Sequence, residues 1–386
     1  MITRRTFGAG AAALVLAGPA RAADGDTVRL GYTGPLSGGA ALYGKNCLSG
    51  LQMAVAEINA AGGLAVGGKA LKVELVVLDD RYSPPEAAVN AKRLVQQSGA
   101  PVVFTSHSGG ALAIEAFNGD EGFLLGAYTS SPAVTERGDP LVLRIPPSFA
   151  SYIAPFVAYE MKRFGGKLAL AGGDHEYAKA WAALFGPAWT KHGGTIVADN
   201  PMSYNKDADF YSGVGKVLSA GPDVLFVGGA SEPTGLVIRQ AREQGFAGGF
   251  AIMDQAKIDE IAKVTDGLDM LDGAVGILPL AYDERPAAAD FAARYRAMFK
   301  ADAGSDAALN FTGFNVVAEA MRLAGTVTDA RAIRAQAEAA AKALTPKQNP
   351  TALTGIDVRG GFLQAAPICA VEKGKIVPLD AAALGG

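Results

Sequence analysis

Cysteine and histidine are scarce in this chain, at two and three copies in 386 residues. Cys47 and Cys369 stand far apart, and His107, His175 and His192 show no ligand spacing, so no metal-ligand motif is written into the sequence. In an oxidising compartment the two cysteines could pair; otherwise both serve as small buried hydrophobes. Excess charge of one sign is also missing. Lys and Arg number 35 against 38 Asp and Glu, a net charge of -3, which supplies no basic surface for nucleic acid. Beyond the N-terminus no run is long and apolar enough for a membrane-spanning helix, which needs about 20 residues.

What is present begins with an export pattern. Arg4-Arg5 precede a short apolar run from Phe7 to Ala17, then Ala20-Arg21-Ala22, a small-x-small cleavage site. Residues 1–22 therefore read as a signal peptide cleaved near Ala22. Thr3-Arg4-Arg5-Thr6-Phe7 is twin-arginine-like, with Sec export also open. The absence of Cys near the cleavage site argues against a lipid anchor, and a soluble periplasmic protein is expected.

Downstream, strand-length apolar runs alternate with helical patterns. The first set of strands is expected at Val28 to Tyr32, Leu71 to Leu78, Pro101 to Thr105, Phe123 to Ala127 and Leu141 to Ile145. A second set is expected at Lys167 to Ala171, Thr195 to Ala198, Val224 to Gly228, Phe250 to Met253 and Ala274 to Leu278. Such alternation implies two α/β lobes with parallel sheets covered on both faces. Leu48, Leu51, Val55 and Ile58 form one stripe of a helix over Ala41 to Ala61, stopped by Gly62-Gly63. Helices are expected at Ala287 to Ala301, Ala307 to Ala324 and Asp329 to Leu344, followed by a strand-like tail at Gly361 to Val371 with no third sheet to join.

The opening unit, Val28 to Gly63 with Gly34-Pro35-Leu36-Ser37 and Tyr43-Gly44, resembles that of periplasmic solute-binding proteins of the branched-chain amino-acid (Leu/Ile/Val-binding) type. Asp79-Asp80, Thr129-Ser130-Ser131-Pro132, Gly228-Gly229 and Arg239-Gln240-Ala241-Arg242 continue the resemblance in order, to about Val377. It implies a type I periplasmic binding fold: two Rossmann-like lobes joined by a three-crossover hinge. With crossings near Pro146, Leu280 and Leu353, lobe 1 is 23–146 plus 281–353 and lobe 2 is 147–280 plus 354–386. It also implies a monomer that hands a small solute to an ABC transporter permease in the inner membrane. Cofactors are not implied. The disulfide common in the first lobe of that family is not expected, because no second Cys lies near Ser106 to Gly110.

Ligands of open α/β sheets sit beyond the carboxyl ends of the strands. The loops after Tyr32, Thr105, Ala127, Ala171, Gly228 and Met253 are therefore the candidates. Ser106-His107-Ser108-Gly109-Gly110 offers a hydroxyl and free backbone N–H groups at a helix start, which suits a carboxylate, although helix capping is the alternative role for any single Ser. The resemblance assigns the carboxylate grip to Ser108 and Ser130, with Tyr128 and Thr129 beside them. It assigns Asp254 to a ligand ammonium, Tyr177 to the second lobe's ligand-facing ring and Tyr43 to the side-chain pocket. Three departures bear on the solute: Ala178 stands where a Gly follows the tyrosine, Ala230 with Ser231 replaces an aromatic position, and His107 replaces a small residue or Cys. Tyr43, His107 and Ala230 are expected to face the variable part of the solute.

A rival reading takes Ser106-His107-Ser108-Gly109-Gly110 as a hydrolase nucleophile elbow with Ser108 as nucleophile. Ser106 crowds the position that needs Gly, and only His175 and His192 follow as bases. The preferred reading is a non-enzymatic carrier of a small carboxylate-bearing solute, by default an amino acid. A sensor module, or a carrier of an amide, aromatic acid or apolar molecule, is the alternative.

Overall fold

The computed structural model describes residues 27–385; the signal peptide expected at 1–22 lies outside them. Two sheets organise the chain. In the first, the order is Leu64–Val66, Lys69–Asp79, Thr27–Gly34, Val102–Thr105, Leu124–Ala127 and Val142–Arg144, parallel throughout except for the Leu64–Val66 edge. The edge strand escapes prediction because it is only three residues long. Its signal is the Gly67-Gly68 turn, where both residues take positive φ (57° and 80°), as a tight hairpin demands.

The second sheet runs Lys375–Leu379, Ile368–Glu372, Ala274–Ile277, Gly249–Ile252, Val224–Val227, Lys167–Leu170 and Thr195–Asp199. Its central strands are buried along their whole length, as expected for parallel strands covered on both faces. The tail does have a sheet to join. Ile368–Glu372 pairs antiparallel with Ala274–Ile277, and Lys375–Leu379 folds back beside it.

Between the sheets the chain passes three times. The first passage follows Arg144 and leads into helix Ala150–Arg163, whose Phe156 and Val157 enter the second half's core. The second follows Ile277 and returns to helices Pro286–Phe299 and Ser305–Ala324. The third lies at 364–367, about ten residues later than expected near Leu353. Leu353, Ile356 and Phe362 bury in the first half's core, holding that stretch, with its short Gly355–Ile356 and Phe362–Leu363 pairing, on the first side. The helix expected over Asp329 to Leu344 is two, Ala330–Ala335 and Ala337–Ala343, with Asp329 capping the first through Arg331 and Ala332 N–H.

Close approach of two helices completes the first half. Helix Ala41–Ala60 lies against Ser305–Ala324, and a Cβ on Gly50 would stand 2.1 Å from the Ala307 carbonyl oxygen. Cys47 is buried in this core and Cys369 in the other, and both are free thiols. Among the described residues no helix is long and apolar enough to cross a membrane.

Candidate functional site

The carboxyl ends of both sheets face each other across a cleft. Eight of the ten residues singled out from sequence line its cavity: Tyr43, His107, Ser108, Tyr128, Thr129, Ser130, Tyr177 and Asp254. Ala230 and Ser231 do not. Ala230 buries in the first half's core, while Ser231 donates to Glu260 Oε2 at 2.5 Å and accepts from the Lys257 N–H at 3.0 Å.

On the first side, the loop after Val102–Thr105 turns into helix Ser108–Glu115 because His107 caps it. Its Nδ1 accepts from the Gly110 N–H at 3.0 Å. Nε2 therefore carries the proton and points to Asp80 Oδ2 at 3.2 Å. Both ring nitrogens are thus occupied away from Ser108, whose hydroxyl bonds instead to Thr129 Oγ1 at 2.5 Å. A nucleophile needs a base within reach, and among the described residues no histidine nitrogen is bonded to Ser108 Oγ.

The two sides meet through hydroxyls and a carboxylate. Ser130 Oγ lies 2.6 Å from Tyr177 Oη, which donates to Asp254 Oδ1, while Trp181 Nε1 donates to both at 3.0 and 3.1 Å. Burial pushes the Asp254 carboxyl up to about 6, tempered by its hydrogen bond with Ser130 and by the Lys257 ammonium. At neutral pH the group is chiefly ionised, so a desolvated cation can pair with it.

A second polar system, absent from the sequence reading, lies beneath. Lys257 Nζ donates to the carbonyls of Asp254 and Gln255 at 2.8 and 2.9 Å and pairs with Asp306 Oδ1 at 2.9 Å across the cleft. Burial alone would lower this ammonium. The carboxylates of Asp306, Glu260 and Asp254 outweigh it and hold Lys257 above the usual lysine range. Tyr128 Oη also donates to Asp306 Oδ1, whereas Asp306 Oδ2 is buried with no protein partner. Asn46 reaches across to Glu260 at 2.6 Å, and burial pushes that carboxyl up to about 7.

Tyr82 is the other omission. It sits with Arg81 in a left-handed pair (φ 64° and 53°), held by Asp80 and Asp79 carboxylates accepting their backbone N–H groups at 2.9 Å. Two consecutive non-glycine residues there are costly, and such strain collects where a side chain must be aimed. The ring stacks on His107, centroids 4.6 Å apart, leans on His175 at 5.3 Å, and shares hydrogen bonds with Gln255 across the cleft. Its sequence signal was position: Tyr82 follows the Lys69–Asp79 strand, a strand end left out of the candidate loops. Gln255 and Lys257 share the loop of Asp254 and were legible in the same way. Tyr152, Ile277 and Leu309 add an apolar wall.

The chain as a whole is similar to known proteins. A family model described as periplasmic binding protein matches residues 27–360. The leucine-, isoleucine-, valine-, threonine- and alanine-binding protein of Pseudomonas aeruginosa is 25% identical over 342 residues, covering 87% of each chain. The Leu/Ile/Val-binding protein of Escherichia coli is 26% identical over 287 residues, 72% of this chain and 74% of that one. Among solved structures, a branched-chain amino acid transporter substrate-binding protein of Streptococcus pneumoniae in complex with isoleucine superposes with a TM-score of 0.76 at 24% identity, covering 92% of this chain and 100% of that chain. A solute-binding protein of an ABC transporter from R. palustris, in complex with benzoate, gives 0.76 at 19% identity, covering 92% and 95%.

Proposed function

The chain belongs to the periplasmic binding protein family, and on that premise we propose that it carries a small carboxylate-bearing solute, by default an amino acid, to an ABC permease. The relatives' solute-binding roles favour a carrier over an enzyme. The observation that carries this reading is the Ser130–Tyr177–Asp254 chain, which joins hydroxyl donors on one half to an ionised carboxylate on the other. Ser108, Thr129 and Ser130 hydroxyls, with the start of helix Ser108–Glu115, would receive the carboxylate. Asp254 would take the ammonium, and Tyr177 would close over both. Replacement of the Ser130–Tyr177–Asp254 bonds by bonds to the solute keeps the polar groups satisfied while the halves stay together.

Calorimetry with a panel of amino acids tests it. Asp254→Ala should cost L-leucine or whichever amino acid binds at least tenfold in affinity, and unchanged affinity removes the ammonium role. A second reading, an aromatic acid without an ammonium, is favoured by the five tyrosines at the cavity, Tyr43, Tyr82, Tyr128, Tyr152 and Tyr177. Benzoate raising the unfolding temperature where amino acids do not would select it, because a solute held only by the folded state raises apparent stability. The remaining assignments, lobes cut near 146, 280 and 364 to 367, a periplasmic location and a monomeric carrier, belong to the same proposal.

A further inference from the structure

A second cavity adjoins the first at the hinge. Pro147, Tyr152, Ile277 and Leu309 line both, so Tyr152 stands at their junction. The cleft cavity measures about 40 Å³ and the hinge cavity about 60 Å³. Where a water needs roughly 10–15 Å³, the larger space is at the hinge and the smaller at the polar head.

Its chemistry is graded. Leu278, Leu280, Ala308 and Pro367 supply apolar walls, whereas Arg285 and Gln364 bring polar atoms. Arg285 Nε donates to both Asp283 oxygens at 2.8 and 3.0 Å and Nη2 pairs with the same carboxylate, yet Nη1 is buried without a protein partner. Gln364 Nε2 donates to the Ile145 carbonyl at 2.6 Å, and its Oε1 is buried unpartnered. One unused donor and one unused acceptor thus belong to side chains of the same cavity, and buried polar atoms are seldom left so. Because Asp283 already neutralises Arg285, a second anionic group would gain little there.

We propose that the solute site continues past Tyr152 into the hinge cavity and takes an elongated solute. Its polar head sits at Ser130 and Asp254, an apolar stem passes Leu309, and a neutral terminus that both accepts and donates, a carboxamide or hydroxyl, meets Arg285 and Gln364. The head placement rests on the reading above. The hinge cavity supplies the length selectivity.

The test is a calorimetric series of straight-chain 2-amino acids of three to eight carbons, and the matching acids without the amino group, each ending in methyl, carboxamide or carboxylate. Affinity should rise with length, and the carboxamide should exceed the carboxylate of equal length at least tenfold. Ala365→Phe, at an exposed residue lining the same cavity, should abolish the gain for long solutes while short ones bind as before. Arg285→Gln, at a partly exposed residue, should erase the carboxamide preference and spare methyl-terminated solutes. Equal affinity or equal silence across the series, or Ala365→Phe weakening short and long solutes alike, overturns the hinge chamber and leaves the head-group reading standing. Length-dependent binding that is equal with and without the amino group overturns the ammonium role of Asp254 in the head-group reading and keeps the chamber.

Discussion

Lys257→Met tests whether the buried pair with Asp306 is what holds the cleft shut. Lys257 is almost wholly buried, all three of its protons are used, and Asp306 already has one oxygen without a partner. Deleting the ammonium leaves a buried carboxylate with only the Tyr128 hydroxyl, a loss of about 3–5 kcal/mol when one partner of such a pair is removed. Here the chain has an escape. Asp306 belongs to the first half and Lys257 to the second, so opening the cleft rehydrates the carboxylate without unfolding anything. The cost should therefore appear in the closed state. Solute affinity is expected to fall by about 100-fold or more, at about 1.4 kcal/mol per decade, while the urea midpoint changes little. Small-angle scattering of the solute-free protein should report a larger radius of gyration. Lys257→Met with Asp306→Asn removes both charges, which is often close to neutral, and should recover most of the affinity. An affinity within threefold of wild type in the single variant, or a double variant no better than the single, refutes the reasoning.

His175 gives a pH signature: burial holds its imidazole down to about 4, so the closed form resists the proton that the open or unfolded chain accepts near 6.5. The stability it contributes is present above pH 6.5 and lost as pH falls toward 4, and His175→Gln should flatten that limb of a pH series of urea melts. Asp254 retains a proton below about 6, so affinity for an ammonium-bearing solute should also fall as pH drops through that value and stay flat in Asp254→Asn, as titration calorimetry at several pH values would reveal. Gly50→Ala forces a Cβ onto the Ala307 carbonyl and should cost about 1–3 kcal/mol or more in chemical denaturation, with an unchanged midpoint excluding the close approach. Tyr82→Phe removes the bridge to Gln255 and should weaken solute binding by about 1 kcal/mol, read as a faster dissociation rate.

Much of this was legible in order along the chain. Continuous apolar strands separated by capped helices report a parallel sheet, and the loops beyond strand ends held Ser108, Ser130 and Asp254. What escaped has a common cause. The Lys257–Asp306 pair joins residues from different halves, and the left-handed turn of Tyr82 is maintained by two carboxylates rather than by a glycine that could announce it. Ser231 lies outside the cavity lining for the converse reason: it follows a strand end as the others do, but Glu260 and the Lys257 N–H occupy its hydroxyl. The tail misled because its antiparallel strands complete a sheet begun far earlier, and the third passage because Ile356 and Phe362 belong to the first core.

That late completion governs how the molecule is assembled in time. Cys369 lies 92 positions after Ile277, the strand end it packs beside, and helix Ser305–Ala324 arrives long after the Ala41–Ala60 helix it must cover. A ribosome that has delivered the first 280 residues has produced neither half in finished form. The chain cannot be cut into two independently folding genes at any single point, and nascent fragments expose apolar edges until the last stretch emerges. Both halves thus depend on segments that come late in sequence, and deletion of residues 367–386 should damage the second sheet more than its distance from the cleft suggests.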